Sequence, residues 1–126
     1  MKKTPTQKLF DKAWKLCSEY IRRRDFGVCF TCKKKQDYKT MHTGHFRHGK
    51  HTPIYFNEYN LHCQCVSCNL YHSGNRDIYL RNIQKKYGIK KGDWLIRESY
   101  KVHKYTPAEL ERIIKKYTKL LAGLDK

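Results

Sequence analysis

Two Cys-x-x-Cys pairs, Cys29/Cys32 and Cys65/Cys68, constrain this chain more than any other feature. Two such pairs can close a tetrahedral Zn²⁺ site, so the segment between them becomes a loop clamped at both ends. Thirty-two residues separate Cys32 from Cys65. That is more than a compact DNA-binding finger requires, so the interval is expected to have work of its own. Cys63 lies two residues before Cys65 on the same strand face and competes as a ligand. Cys17 falls on the apolar face of a predicted helix and reads as packing.

The chain has 126 residues with 28 Lys+Arg against 11 Asp+Glu, a formal net charge of +17. Its length fits a single domain spanning 1–126, with an N-terminal helix (1–25), a zinc-bound core (26–88) and C-terminal helices (89–126). A structural metal adds stability that a core of this size lacks. The charge excess repels itself without a polyanionic partner, which points to nucleic acid. No apolar run is long enough for a membrane span, and no secretory signal is visible. The expected location is the cytoplasm. In that reducing compartment Cys-x-x-Cys pairs are metal ligands rather than disulfides. A thiol redox role fits poorly, because no βαβ pattern surrounds the pairs.

Thr4-Pro5-Thr6-Gln7 reads as a capping box with Pro at the first helical position, opening a helix over 5–24. Phe10, Ala13, Trp14, Cys17, Tyr20 and Ile21 recur on one face of it. Residues 26–36 read as a zinc knuckle, 38–46 as a strand, 47–57 as a basic loop and 61–65 as a second strand. A helix is expected from 65–69 through to Tyr87, weakened at Gly74, with Ile78, Ile83 and Tyr87 buried and Gly88 ending it. Asp93 is expected to cap a short helix through Tyr100. Thr106-Pro107-Ala108-Glu109 opens the last helix. Its stripe of Leu110, Ile113, Ile114, Tyr117 and Leu121 reads as core or a dimer face, and Gly123 lies past its end.

Phosphodiester hydrolysis needs an activated water, a base and positive charge on the departing oxygen. Histidine is the natural base near neutral pH, and one ring nitrogen must be held so that the other faces the water. A carbonyl oxygen can hold that nitrogen, and an Asn amide can pin the loop that supplies the carbonyl. His45 ends the first strand, Asn60 opens the second, and Asn69 follows the second cysteine pair.

These stretches resemble the HNH (ββα-metal) endonucleases, and within them the phage recombination endonucleases of the Rap/NinG family. The matching residues are Tyr20 to Asp25 before Cys29-x-x-Cys32, then Gly44-His45-Phe46. They continue with Phe56-Asn57-Glu58, Asn60, His62 and Gln64-Cys65-x-x-Cys68-Asn69, and end with Ser73-Gly74-Asn75. The resemblance implies an α+β protein with a zinc-stapled, treble-clef-like ββα-metal core and flanking helices. It implies a hydrolase that cuts branched DNA, including Holliday junctions, with His45 as general base, Asn60 orienting the loop and Asn69 at the catalytic metal. Many HNH enzymes carry a metal ligand immediately before the base, where this chain has Gly44. Glu58, His42 and His72 are the substitute candidates beside Asn69. Mg²⁺ would favour oxygen from Glu58 and Asn69, and Mn²⁺ would accept imidazole.

Arg22, Arg23, Lys33, Lys34, Arg47, Lys50, Arg76 and Arg81 are the candidate phosphate contacts. Aromatics among them, such as Phe46, Tyr55, Phe56 and Tyr71, are candidates for base stacking. No base-reading motif is visible, so shape and backbone are the expected targets. Paired nicks across a four-way junction suggest a homodimer. The rival reading is a zinc-containing nucleic-acid-binding module without catalysis, which composition and cysteine spacing fit equally well.

Overall fold

The structure is a computed structural model that describes residues 2–125. Helix α1 (Pro5–Arg24) begins where its sequence signature places it. The Thr4 hydroxyl accepts from the Gln7 N–H at 3.1 Å, and the Gln7 side chain accepts from the Thr4 N–H at 2.8 Å. A one-turn 3₁₀ helix (Tyr38–Thr40) precedes strand β1 (His42–His45). The predicted strand over 38–46 is therefore shorter, because the Asp37 side chain caps the Lys39 N–H and turns the chain there. Strand β2 (Leu61–Gln64) pairs antiparallel with β1, setting His42 against Gln64, Gly44 against His62 and His45 against Leu61.

After β2 the chain makes a π-helical turn (Ser67–Tyr71) and then breaks. Ser73, Gly74 and Asn75 all take positive φ, so the single helix expected from 65–69 to Tyr87 is two pieces. The second is α2 (Arg76–Tyr87). The break shifts the helical phase, and Ile78, expected to be buried, lies exposed while Tyr79 and Ile83 are buried. Gly88 ends α2 as predicted, and α3 (Ile89–Glu98) starts immediately after it. Asp93 is therefore inside α3 rather than its cap. Helix α4 (Pro107–Leu124) repeats the capping box, with Thr106 and Glu109 exchanging hydrogen bonds. It runs through Gly123, which was expected to lie beyond its end.

Period-2 alternation gives the hairpin two faces. One packs on α1 and α4, where Ala13, Cys17, Ile21, Phe56, Leu61, Leu110 and Tyr117 form a core. The apolar stripes of α1 and α4 face each other within one chain, so of the two readings given to the α4 stripe, core or dimer face, it is core. The other hairpin face packs on α2 and α3 through Phe30, Phe46, Ile54, Tyr79, Ile83 and Leu95. Each large apolar side chain so buried contributes about 1.5–3 kcal/mol. No helix among the described residues is long and apolar enough to cross a membrane.

Candidate metal centre and hairpin site

The ligand atoms of Cys29, Cys32, Cys65 and Cys68 all lie within 4.8 Å of one another. Cys32 Sγ and Cys65 Sγ are 3.7 Å apart. A tetrahedral site with metal–sulfur bonds of about 2.3 Å needs sulfurs about 3.8 Å apart, so the spacing fits zinc. In each pair the second cysteine's N–H points at the first sulfur, Cys32 N at 3.5 Å from Cys29 Sγ and Cys68 N at 3.4 Å from Cys65 Sγ. Such donors favour thiolates. Burial works to raise the Cys29 thiol, but the Thr31 hydroxyl and backbone N–H groups outweigh it and carry it down to about 6. Burial and the neighbouring sulfurs push Cys32 up to about 12 and Cys68 upward. Four thiolates this close need a cation between them. Cys63, weighed as a competitor, is not among the converging sulfurs. Its thiol is pushed up to about 12 by burial and by the Asp25 carboxylate, which accepts from its N–H at 2.9 Å.

The cysteine pairs bracket the hairpin that carries His45. Its ring stacks on Trp14 at 4.7 Å and lies 4.5 Å from the Tyr55 ring. Nε2 is 3.2 Å from the Tyr55 carbonyl oxygen. A carbonyl only accepts, so Nε2 carries the hydrogen and Nδ1 keeps its lone pair. Among the described residues Nδ1 has no hydrogen-bond partner, and it is not sealed from solvent. The residue is 8% exposed, and burial, with His48 nearby, pushes the imidazole down to about 4. It is neutral at physiological pH.

Asn60 is fully buried and ties down the loop from Arg47 to Ile54. Its Oδ1 accepts from the Arg47 N–H at 2.9 Å, and Nδ2 donates to the carbonyls of Arg47 (3.0 Å) and Ile54 (3.1 Å). Tyr55, which holds the His45 ring, is the next residue. Asn60 therefore reaches His45 through the loop.

Asn69 lies at the hairpin edge, where it shares one cavity with His42, Thr43, Ser18 and Trp14, the ring stacked on His45. Its Nδ2 is 3.0 Å from His42 Nδ1, and its Oδ1 is 3.1 Å from where a Cβ on Gly44 would stand. Gly44 is closely covered, since that Cβ would also meet Gln64 Oε1 at 1.8 Å. Among the described residues the four cysteines are the one group of three or more His, Cys, Asp or Glu side chains placed to hold a metal. Glu58, His42 and His72 do not form a second. The Glu58 carboxylate pairs with Lys116 of α4 at 3.2 Å, and His72 lies exposed beside Ser73 and Asn75.

Several predicted phosphate contacts have internal partners. Arg22 donates to the carbonyls of Ser18 and Tyr38, and Arg23 pairs with Glu19 and Asp125. Arg47 reaches Ser99 and Tyr100. Lys33 lies over the Phe30 ring and Lys50 over Phe10. Lys34, Arg76 and Arg81 are exposed.

Sequence reasoning missed three groups that position this site, Trp14, Gln64 and the His62–Tyr79–Tyr87 cluster, and read Tyr55 as a base-stacking candidate where it holds the His45 ring. Each acts across a long sequence separation. Only the alternation of β2 could have shown that Gln64 shares a face with Gly44.

A small α+β protein with a two-stranded hairpin and four cysteines positioned to bind a metal ion is the class these features define. The chain belongs to the family described as Bacteriophage Lambda NinG protein, whose family model matches residues 1–126. It is 31% identical over 115 residues to Protein ninG of Salmonella phage P22, covering 90% of this chain and 56% of that protein. It is 30% identical over 115 residues to Protein ninG of Escherichia phage lambda, covering 90% of this chain and 55% of that one. The chain thus spans just over half the length of these relatives. No solved structure matches it.

Proposed function

We propose that this protein is an HNH-type endonuclease, with a ββα-metal core, that hydrolyses phosphodiester bonds in branched DNA with the help of a divalent cation. The observation that carries this reading is the tethering of His45. One ring nitrogen is engaged by a carbonyl, that carbonyl follows a loop pinned by Asn60, and the other nitrogen keeps an open lone pair. In this role Nδ1 takes the proton of the attacking water, and the loop keeps the ring from turning away. Asn69, with His42 behind it, would hold the catalytic ion. When bound, a divalent ion supplies positive charge to the departing oxygen. Lys34, Arg76 and Arg81 are exposed and would meet phosphates, and the +17 charge draws DNA to the surface. Two nicks across a four-way junction call for two such sites, hence a homodimer formed by a face other than the α1/α4 stripe.

A second reading, a zinc module that binds nucleic acid without cutting it, is favoured by one observation. His45 is largely enclosed, and among the described residues no second group of His and carboxylate ligands accompanies it. The test is a labelled synthetic four-way junction incubated with the zinc-loaded protein and Mg²⁺ or Mn²⁺, with EDTA as control. Metal-dependent nicks near the branch are expected. Tight binding with no cleavage under either metal hands the case to the second reading.

A further inference from the structure

A cavity of about 300 Å³ opens where three stretches of chain meet: the first turns of α1, the 47–57 loop and the segment before α4. It shares no residue with the cysteine centre. Its walls are tied to one another. The His103 N–H donates to the His51 carbonyl at 2.7 Å, and the Tyr105 hydroxyl donates to the Thr52 carbonyl at 2.8 Å. The Phe10 ring packs on Tyr55 at 5.0 Å, Phe56 at 5.2 Å and Tyr105 at 6.2 Å. The cavity is therefore formed in advance, as ligand sites commonly are.

Its lining has two chemistries. Phe10 and Tyr105 are half-buried, so each leaves part of its ring to the cavity. Lys50, His51 and Lys104 stand exposed at the rim, with Lys50 Nζ 5.2 Å from the centre of the Phe10 ring. The lining carboxylate, Asp11, is paired with Lys3. Among the described residues neither Lys50 nor Lys104 pairs with a carboxylate, so the rim holds positive charge in excess. A ligand that answers both chemistries has a flat π-face and a phosphate. An unpaired nucleotide has both, since bases stack on aromatic side chains whatever their sequence and the phosphate takes the ammonium groups. A base inside a duplex is already stacked and cannot enter. The Tyr55 ring touches both Phe10 and the His45 ring, the latter at 4.5 Å, so the cavity lies one side chain away from His45.

We propose that this cavity binds an unpaired nucleotide of a DNA strand, its base on Phe10 and Tyr105 and its phosphate between Lys50 and Lys104. The proposal rests on the branched-DNA reading above for its purpose, because branch points expose such nucleotides, but not for its test. The probes are a labelled thymidine oligomer of about ten nucleotides and a blunt duplex of the same length. Each is titrated into the zinc-loaded full chain without added divalent cation and followed by fluorescence anisotropy. Phe10→Leu keeps an apolar side chain and removes the ring. It is expected to weaken oligomer binding about tenfold and duplex binding by less than about twofold. Lys50→Gln combined with Lys104→Gln is expected to flatten the oligomer's slope of log affinity against log salt by about 0.7, one phosphate contact. Lys115→Gln combined with Lys119→Gln removes the same charge from exposed positions on α4 and is expected to leave the oligomer-to-duplex affinity ratio unchanged. Zinc content in each variant reports whether the fold survived.

Equal oligomer affinity in wild type and Phe10→Leu overturns the proposal, as does a loss of the same size for the duplex. If Phe10→Leu fails to take up zinc, Lys104→Glu decides. That residue is exposed, and reversing its charge should lower the oligomer-to-duplex ratio about fivefold. An unchanged ratio there overturns the cavity. Phe10-dependent oligomer binding without junction cleavage keeps the cavity and removes the nuclease reading. Cleavage together with Phe10-independent oligomer binding does the reverse.

Discussion

Each face of the hairpin holds one buried histidine, and the two are held in opposite ways. On the α2 face, His62 is fully buried and stacks on Phe30 at 3.8 Å. Its Nδ1 is 3.0 Å from the Tyr79 hydroxyl and its Nε2 is 2.8 Å from the Tyr87 hydroxyl. Tyr79 must donate to the Gly44 carbonyl at 2.7 Å, so it accepts from Nδ1–H, and Nε2 accepts from Tyr87. Both nitrogens are occupied, and burial, reinforced by Arg24, keeps the ring neutral. On the α1 face, His45 has one nitrogen tied to Tyr55 and one without a partner among the described residues. A fully satisfied histidine is a structural part. A half-satisfied one, aimed by its partner, has a lone pair to offer. Burial alone does not separate the two, because His45 is 8% exposed and His62 is 0%. The hydrogen-bond count does.

The largest stability effect expected is at His62. His62→Ala removes a packed ring and strands two tyrosine hydroxyls, and should cost about 3–5 kcal/mol. Urea denaturation of the zinc-loaded protein measures it. A loss below 1 kcal/mol, on the order of a surface change, removes the contrast between the two rings.

The acid side of stability sharpens the same comparison. The folded His45 imidazole sits near 4 against 6.5 when free, so between those values the unfolded chain binds more protons. Its contribution is complete above about pH 6.5 and is lost as pH falls toward 4, about 2 kcal/mol of it by pH 5. Imidazole NMR should show the His45 ring not titrating above about pH 5. A midpoint near 6.5 means the ring is far less enclosed than described.

The smallest effect expected is at Glu58, one of the three substitute candidates for the catalytic metal. Its carboxylate faces Lys116 on the surface of α4. An exposed pair of this kind is worth about 0–1 kcal/mol, so Glu58→Gln should leave stability nearly unchanged. Cleavage should change by no more than about twofold. A hundred-fold loss restores Glu58 to the site.

Local signals explain what the sequence disclosed. The capping boxes at Thr4 and Thr106 marked both long helices at their starts, since each satisfies backbone donors within one turn. The cysteine spacing disclosed the converging sulfurs, and the apolar stripes disclosed α1 and α4. What stayed hidden depends on contacts between distant residues. Gly74 signalled a weak point, but the carbonyl it turns toward the Gln64 amide becomes a reason for the break only when β2 lies alongside. Asp93 has the chemistry of a cap, yet Gly88 serves as the boundary for α2 and α3 together, which places Asp93 within a helix. The tyrosines on His62 come from 17 and 25 residues away, and no periodicity links them to β2. Cys63 looked equivalent to Cys65 because they share a strand face. The backbone turns after Gln64, and that turn brings Cys65, not Cys63, to the other sulfurs.

The most direct measurement is single-turnover cleavage of a labelled four-way junction by wild type and His45→Ala, at matched zinc content and with Mn²⁺ present. If the open Nδ1 of His45 is the base, cleavage falls by about 10²–10⁴-fold while junction affinity stays within about threefold. Cleavage at the wild-type rate by His45→Ala contradicts that assignment outright.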